Sequence, residues 1–192
     1  MQDDIVDFPA DYKNIERDTL ELGFAQSSDG KIGQFLKVLC GSKVEGRFLE
    51  LGTGSGLSTS WMLQGMDEKS TLLSVENDDG VLSIARKHLG SDPRVEFICD
   101  NGERVISRLE AASFDLIFAD TWPGKYNHLE ETLSLLKVGG FYVIDDMLAQ
   151  DNWPDGHDKK AAELLKTLAL HEQLKLVKMC WSTGIVLAVK HA

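Results

Sequence analysis

Apolar residues change their spacing along this chain near Arg47. Before that point they recur at helical intervals. Ile15, Leu20 and Leu22 lie in a charged stretch, and after a Ser27-Ser28-Asp29-Gly30 break come Ile32, Phe35, Leu36 and Leu39. Two helices are therefore predicted between about Pro9 and Cys40. They form an N-terminal cap, residues 1–42, that contributes to the substrate and cofactor site ahead of a core over residues 43–192.

From Arg47 onward, short apolar runs alternate with helical stretches. Strands are predicted at Arg47–Leu51, Thr71–Glu76, Val95–Cys99, Phe114–Ala119, 141–145, Leu174–Met179 and 185–189. Helices are predicted at Leu57–Gly65, Asp79–Leu89, 102–109, 125–136 and 158–170. Short apolar strands separated by helices build a parallel sheet covered on both faces. The last two strands are joined by Trp181-Ser182-Thr183-Gly184. That link is too short for a crossover, so they should pair antiparallel. The expected fold is α/β, a seven-stranded and mostly parallel sheet with an antiparallel last strand.

Charge narrows the partners. The formal net charge is −11, and Lys and Arg form no dense stripe. Phosphate neutralisation needs basic residues gathered on one face, so neither nucleic acid nor an anionic membrane is expected, and a small-molecule substrate is. Residues 1–4 are acidic where a signal peptide would be basic, and no apolar run approaches a bilayer-spanning length. Cys40, Cys99 and Cys180 are odd in number and far apart. They are expected to be buried, reduced thiols in a cytoplasmic protein.

An open α/β sheet binds its ligands beyond the carboxyl ends of its strands, so the residues there are the candidates. After the first strand runs Glu50-Leu51-Gly52-Thr53-Gly54-Ser55-Gly56, where glycines let the backbone turn and approach a ligand, with a helix N-terminus near Ser58 behind them. The second strand ends in Glu76, placed to accept hydrogen bonds from ribose hydroxyls or, alternatively, to sit in solvent before the next helix. Asp100-Asn101-Gly102 follows the third; it can meet an adenine amino group, cap the next helix, or do both. Asp120 follows the fourth strand, and Asp145 and Asp146 lie at the end of the fifth. Three carboxylates at one edge would repel one another unless a hard divalent cation such as magnesium lay among them. Capping a loop or pairing with a lysine is the other role open to Asp145 and Asp146. His88, His128, His157, His171 and His191 show no metal-ligand spacing, and surface or helix-packing roles are expected for most of them. Trp61 and Trp181 are expected in the core, and Trp122 and Trp153 in ligand-edge loops.

In this order and spacing, residues 48–56 (FLELGTGSG), the strand ending at Glu76, residues 114–120 (FDLIFAD) and residues 136–148 (LKVGGFYVIDDML) resemble the class I S-adenosylmethionine methyltransferases, which have a Rossmann-like fold. They are most similar to the cation-dependent O-methyltransferases of the catechol and caffeoyl-CoA type. The likeness runs from Ser28 to Trp153 and includes the SDGKIGQFL segment. It implies that Glu50, Gly52, Gly54 and Ser58 lie around the methionine part of the cofactor and that Ser28 contacts the cofactor from the N-terminal helices. It also implies that Glu76 holds the ribose, that Asp100, Asn101 and Gly102 flank the adenine, and that Asp120 contacts the cofactor. Asp120, Asp145 and Asp146 fall where that family has its metal ligands, and a homodimer is implied as well.

Two departures stand out. The family has Asp-Asn where this chain has Asp145-Asp146, and its catalytic lysine position holds Pro123, with Lys125 two residues further on. The expected chemistry is in-line methyl transfer from a sulfonium to an acceptor hydroxyl, aided by a cation, with Asp120 and Lys125 as the catalytic groups. Other readings of the same motifs are a nicotinamide-dependent dehydrogenase, disfavoured by Leu57 in place of a third glycine, an aminopropyltransferase, and a cofactor-binding regulatory module without turnover.

Overall fold

The structure is a computed structural model that describes residues 4–150 and 153–192. The acidic start therefore falls mostly outside the described residues. Helices α1 (Tyr12–Leu22) and α2 (Gly30–Gly41) precede β1 (Arg47–Leu51), α3 (Leu57–Gly65), β2 (Thr71–Glu76), α4 (Asp79–Leu89) and β3 (Val95–Cys99). Then come α5 (Gly102–Ile106), β4 (Phe114–Ala119), α6 (Leu129–Leu135), β5 (Leu136–Ile144), α7 (His157–Leu170), β6 (Leu174–Met179) and β7 (Ile185–Lys190).

One seven-stranded sheet runs in the order β3-β2-β1-β4-β5-β7-β6. The first five strands pair in parallel, and β7 lies antiparallel between β5 and β6. The order reverses between β1 and β4, which opens a crevice at the carboxyl ends of those two strands. The fold is the expected Rossmann-like one.

Alternation along the strands builds two cores. Leu49, Ile117, Ala119, Tyr142, Ile144 and Val186 face one way and pack with Val105, Leu133, Leu164 and Leu168 from α5, α6 and α7. Their neighbours Phe48, Leu116, Phe118, Val143 and Ile185 face the other way, against Ile15, Leu36, Trp61, Met62 and Ile84 from α1 to α4. The two N-terminal helices thus share one apolar cluster with the sheet. Asp18 on α1 accepts from Lys87 (2.6 Å) and His88 (2.7 Å) of α4.

Five predicted elements differ at their ends, β7 by a single residue at Lys190. Helix α5 stops at Ile106 rather than 109, and α7 starts one residue earlier than predicted. Helix α6 begins at Leu129 rather than 125, because residues 122–128 form a closed turn. The Trp122 carbonyl accepts from the amides of Lys125, Tyr126 and Asn127, and His128 takes a left-handed φ of 56°. Strand β5 begins at Leu136, directly after α6, with a register shift against β4. Only Cys40 is buried; Cys99 and Cys180 are exposed, and all three are free. Trp61 is in the core as expected. Among the described residues no helix is long and apolar enough to cross a membrane.

Candidate active site

Backbone pairing continues past the strands and places the candidate loops. The amides of Gly52 and Thr53 donate to the Val75 carbonyl (2.9 and 3.1 Å), and the Asp120 amide donates to Leu51 (2.9 Å). Gly52 has φ 102°, and a Cβ there would lie 3.1 Å from the Asp120 carbonyl oxygen. The turn needs both the left-handed backbone and the missing side chain.

Glu50 is fully buried beneath this turn. One of its oxygens accepts from Ser58 Oγ (2.6 Å), the other from Thr59 Oγ1 (2.6 Å) and Ser74 Oγ (2.5 Å). Burial pushes its carboxyl up to about 7 against the pull of these hydroxyls, with Glu76 adding a smaller push. Glu50 therefore ties β1, β2 and α3 together beneath the turn and does not line the cavity above it. At the end of β2, Glu76 Oε2 accepts from the Gly54 amide (2.9 Å), and Oε1 accepts from Asn77 (2.8 Å) and Asp78 (3.1 Å). Three backbone donors hold the carboxylate against the Gly-rich turn.

A cavity of about 500 Å³ opens over these loops. The link between α1 and α2, including Phe24 and Ser28, closes one side; Gly52, Gly54, Ser58 and Glu76 form the floor; Asp120, Lys125, Asp145 and Asp146 lie further along. Asp100, Asn101 and Gly102 are not among its described lining residues. Asp100 instead faces Arg104 and Arg108, each at 3.5 Å, and Asn101 caps α5 through the Glu103 amide. Of the two roles read for this segment, the capping one is formed.

The closed turn after β4 carries Lys125 inward. Gly124, at φ 85°, packs so tightly that a Cβ would meet Leu51 Cδ1 at 2.4 Å, and its carbonyl accepts from the Tyr142 hydroxyl at 2.5 Å. Lys125 is only 4% exposed, and its Nζ donates to the Asp145 carbonyl at 2.5 Å. Burial lowers the ammonium from the usual lysine value, and Asp120, Asp146 and Asp145 pull it back. Burial raises Asp120 well above the usual carboxylate range, with Asp145 and Asp146 adding to the rise and Lys125 and Ser28 opposing it. Burial also pushes Asp145 up to about 6, against hydrogen bonds from Thr183 and the Asp146 amide.

A magnesium-type ion does not fit this arrangement. Asp145 Oδ1 accepts from Thr183 Oγ1 and from the Asp146 amide (2.8 Å), and Asp120 Oδ2 accepts from Ser28 Oγ (3.1 Å). Among the described residues, no three carboxylate, imidazole or thiolate side chains converge as a set of metal ligands. Asp120, Asp145 and Asp146 line the cavity together with Lys125, whose Nζ is anchored on the Asp145 carbonyl.

The far wall of the cavity is aromatic. Trp153 and His157 are 4.5 Å apart between ring centroids, Tyr126 and His157 5.1 Å, and Trp122 and Tyr126 5.6 Å. The Tyr126 hydroxyl lies 3.1 Å from His157 Nε2. Burial pushes Tyr126 up to about 12, and burial with Lys125 lowers His157. Trp122 and Trp153 lie where the loops predict them. Tyr126 and His157 carried no sequence signal, because their partners are about thirty residues apart and meet only when α7 packs on the sheet.

Similarity to known proteins agrees with this geometry. The sequence model of the O-methyltransferase family matches residues 12–191. A Mycobacterium ulcerans protein named as an O-methyltransferase is 27% identical over 179 residues, covering 88% of this chain and 79% of its own. Several other mycobacterial relatives, at 34% identity, align over 50% of this chain and 45% of their own length. Two solved structures show the same fold. The O-methyltransferase TomG of Streptomyces achromogenes, in complex with SAM, has a TM-score of 0.84 at 19% identity, covering 98% of this chain and 92% of that one. A Bacillus cereus O-methyltransferase in complex with SAH gives 0.81 at 19%, covering 98% and 94%.

Proposed function

Because the chain belongs to the O-methyltransferase family, we propose that it transfers the methyl group of S-adenosylmethionine to a hydroxyl of a small planar acceptor. The observation that carries this reading is the single cavity joining two unlike halves. One half has a Gly-rich turn and an oriented carboxylate, the other an aromatic wall beside a buried Lys-Asp group. The dehydrogenase, aminopropyltransferase and regulatory-module readings find no support among these relatives.

The residues at the first half suit the cofactor. Glu76 is fixed by three amides with lone pairs left for ribose hydroxyls, and Gly52 and Gly54 keep side chains out of the way. Asp29, Glu76, Asp78, Asp120, Asp145 and Asp146 line the cavity, and Lys125 is the one lysine or arginine among its described lining residues. An acidic site of this kind favours a cationic sulfonium. When bound, S-adenosylmethionine supplies an electrophilic methyl group.

The chain's part is alignment and proton handling. Trp122, Tyr126, Trp153 and His157 would hold a flat acceptor against the cofactor half and exclude water. Asp120, whose affinity for protons is raised by burial, would take up the acceptor's proton, and the Lys125 ammonium beside it would stabilise the oxyanion that forms. No step is assigned to a divalent cation, since the residues do not fit one.

The reading is tested by turnover of labelled S-adenosylmethionine with a panel of phenols and catechols. Lys125→Met should lower kcat by roughly 100-fold or more while leaving S-adenosylhomocysteine affinity nearly unchanged. Equal losses in both would contradict the division between the two halves.

A further inference from the structure

We propose that the ammonium of Lys125 stands in for the divalent cation, so that the acceptor is oriented by a lysine built into the chain and the enzyme needs no metal. This deepens the proposed methyl transfer and rests on it for its catalytic meaning, although metal binding can be measured without any turnover.

Four observations carry the inference. Lys125 Nζ is buried and anchored on the Asp145 carbonyl. One oxygen of Asp145 is engaged by Thr183 and the Asp146 amide, and one oxygen of Asp120 by Ser28. The turn that delivers the lysine is fixed from several sides. The Trp122 carbonyl gathers three amides, Tyr142 holds Gly124 from below, and Pro123 packs where a Cβ on Gly102 would lie 2.9 Å away. Finally, Asp120, Asp145 and Asp146 line the same cavity as Lys125, so its ammonium sits in negatively charged surroundings.

These features explain each other. Two cations a few ångströms apart in a buried site repel strongly, so an ion and this ammonium compete for one set of carboxylates. Lys125 brings its ammonium in from the closed turn that follows β4. Among the described residues, one of the three N–H donors of Lys125 is used on the Asp145 carbonyl. The others remain for an acceptor oxygen, whose developing negative charge the ammonium would stabilise as an ion would.

The experiment is a manganese titration followed by electron paramagnetic resonance, run on the full chain and on Lys125→Met. S-adenosylhomocysteine binding is measured on the same samples by calorimetry. The native chain should bind no more Mn2+ than its Asp145→Asn/Asp146→Asn variant, and its turnover should be unchanged by EDTA. Lys125→Met removes the competing positive charge and should bind Mn2+ at least ~10-fold more tightly than the native chain. Stoichiometric Mn2+ binding by the native chain that the double variant loses would overturn the proposal. So would a folded Lys125→Met variant, checked by thermal melting, that takes up no more Mn2+ than the native chain. Failure of S-adenosylhomocysteine to bind the native chain would count against the methyltransferase reading instead, whatever the manganese result.

Discussion

Glu50 shows how one side chain can serve the site without facing it. Its carboxyl is pushed up to about 7 from 4.5 by burial. A group whose folded value is raised gives its full stabilisation below the unfolded value and loses it as pH rises through the folded one. Stability should therefore fall between about pH 4.5 and pH 7, with Glu50 contributing a few kcal/mol of that fall, roughly 3 at full size. Asp145, raised to about 6, adds to the same slope. Glu50→Gln should flatten the Glu50 part of the curve, seen in urea unfolding at pH 5 and pH 8. A variant curve parallel to the native one would mean that the carboxyl is not strained by burial. Glu76 makes the opposite kind of contribution. If Glu76 holds the ribose hydroxyls as proposed, Glu76→Ala should weaken S-adenosylhomocysteine binding by roughly 10-fold or more, read by calorimetry.

Among the elements, the turn after β4 decides where Lys125 sits. Gly124 combines a left-handed φ of 85° with contact to Leu51. Gly124→Ala should cost about 1–3 kcal/mol of stability and lower turnover by more than the stability loss explains, because Lys125 moves with it. The turn at Gly52 is separate, so S-adenosylhomocysteine should still bind. Calorimetry and kinetics on the same sample check both outcomes. This turn also marks the limit of what the sequence reveals. Strands β1 to β4 were legible to the residue, because buried parallel strands are short apolar runs with polar residues at their ends. The start of α6 was not, since Lys125, Tyr126 and Asn127 read as helical in isolation while the Trp122 carbonyl holds their amides in a closed turn. The carboxylates at the ends of β4 and β5 were legible as neighbours from strand order alone. That Lys125 lies beside them depends on where one long side chain points, and spacing carries no information about that.

At the scale of the whole molecule, the acidic balance of −11 and the acidic cavity lining point the same way, toward a small cationic ligand rather than a polyanion. The cavity lies where the strand order reverses, and the α1–α2 link closes one side of it. The N-terminal helices share a core with the sheet, so the site and the fold should unfold together in a single transition. The central claim is that this cavity holds S-adenosylmethionine, and calorimetric titration with S-adenosylhomocysteine in the presence of EDTA tests it most directly. The account predicts saturable binding at one site per chain, displaced by S-adenosylmethionine, unaffected by NADH and not strengthened when magnesium replaces EDTA. Absence of binding, or displacement by NADH, would contradict it.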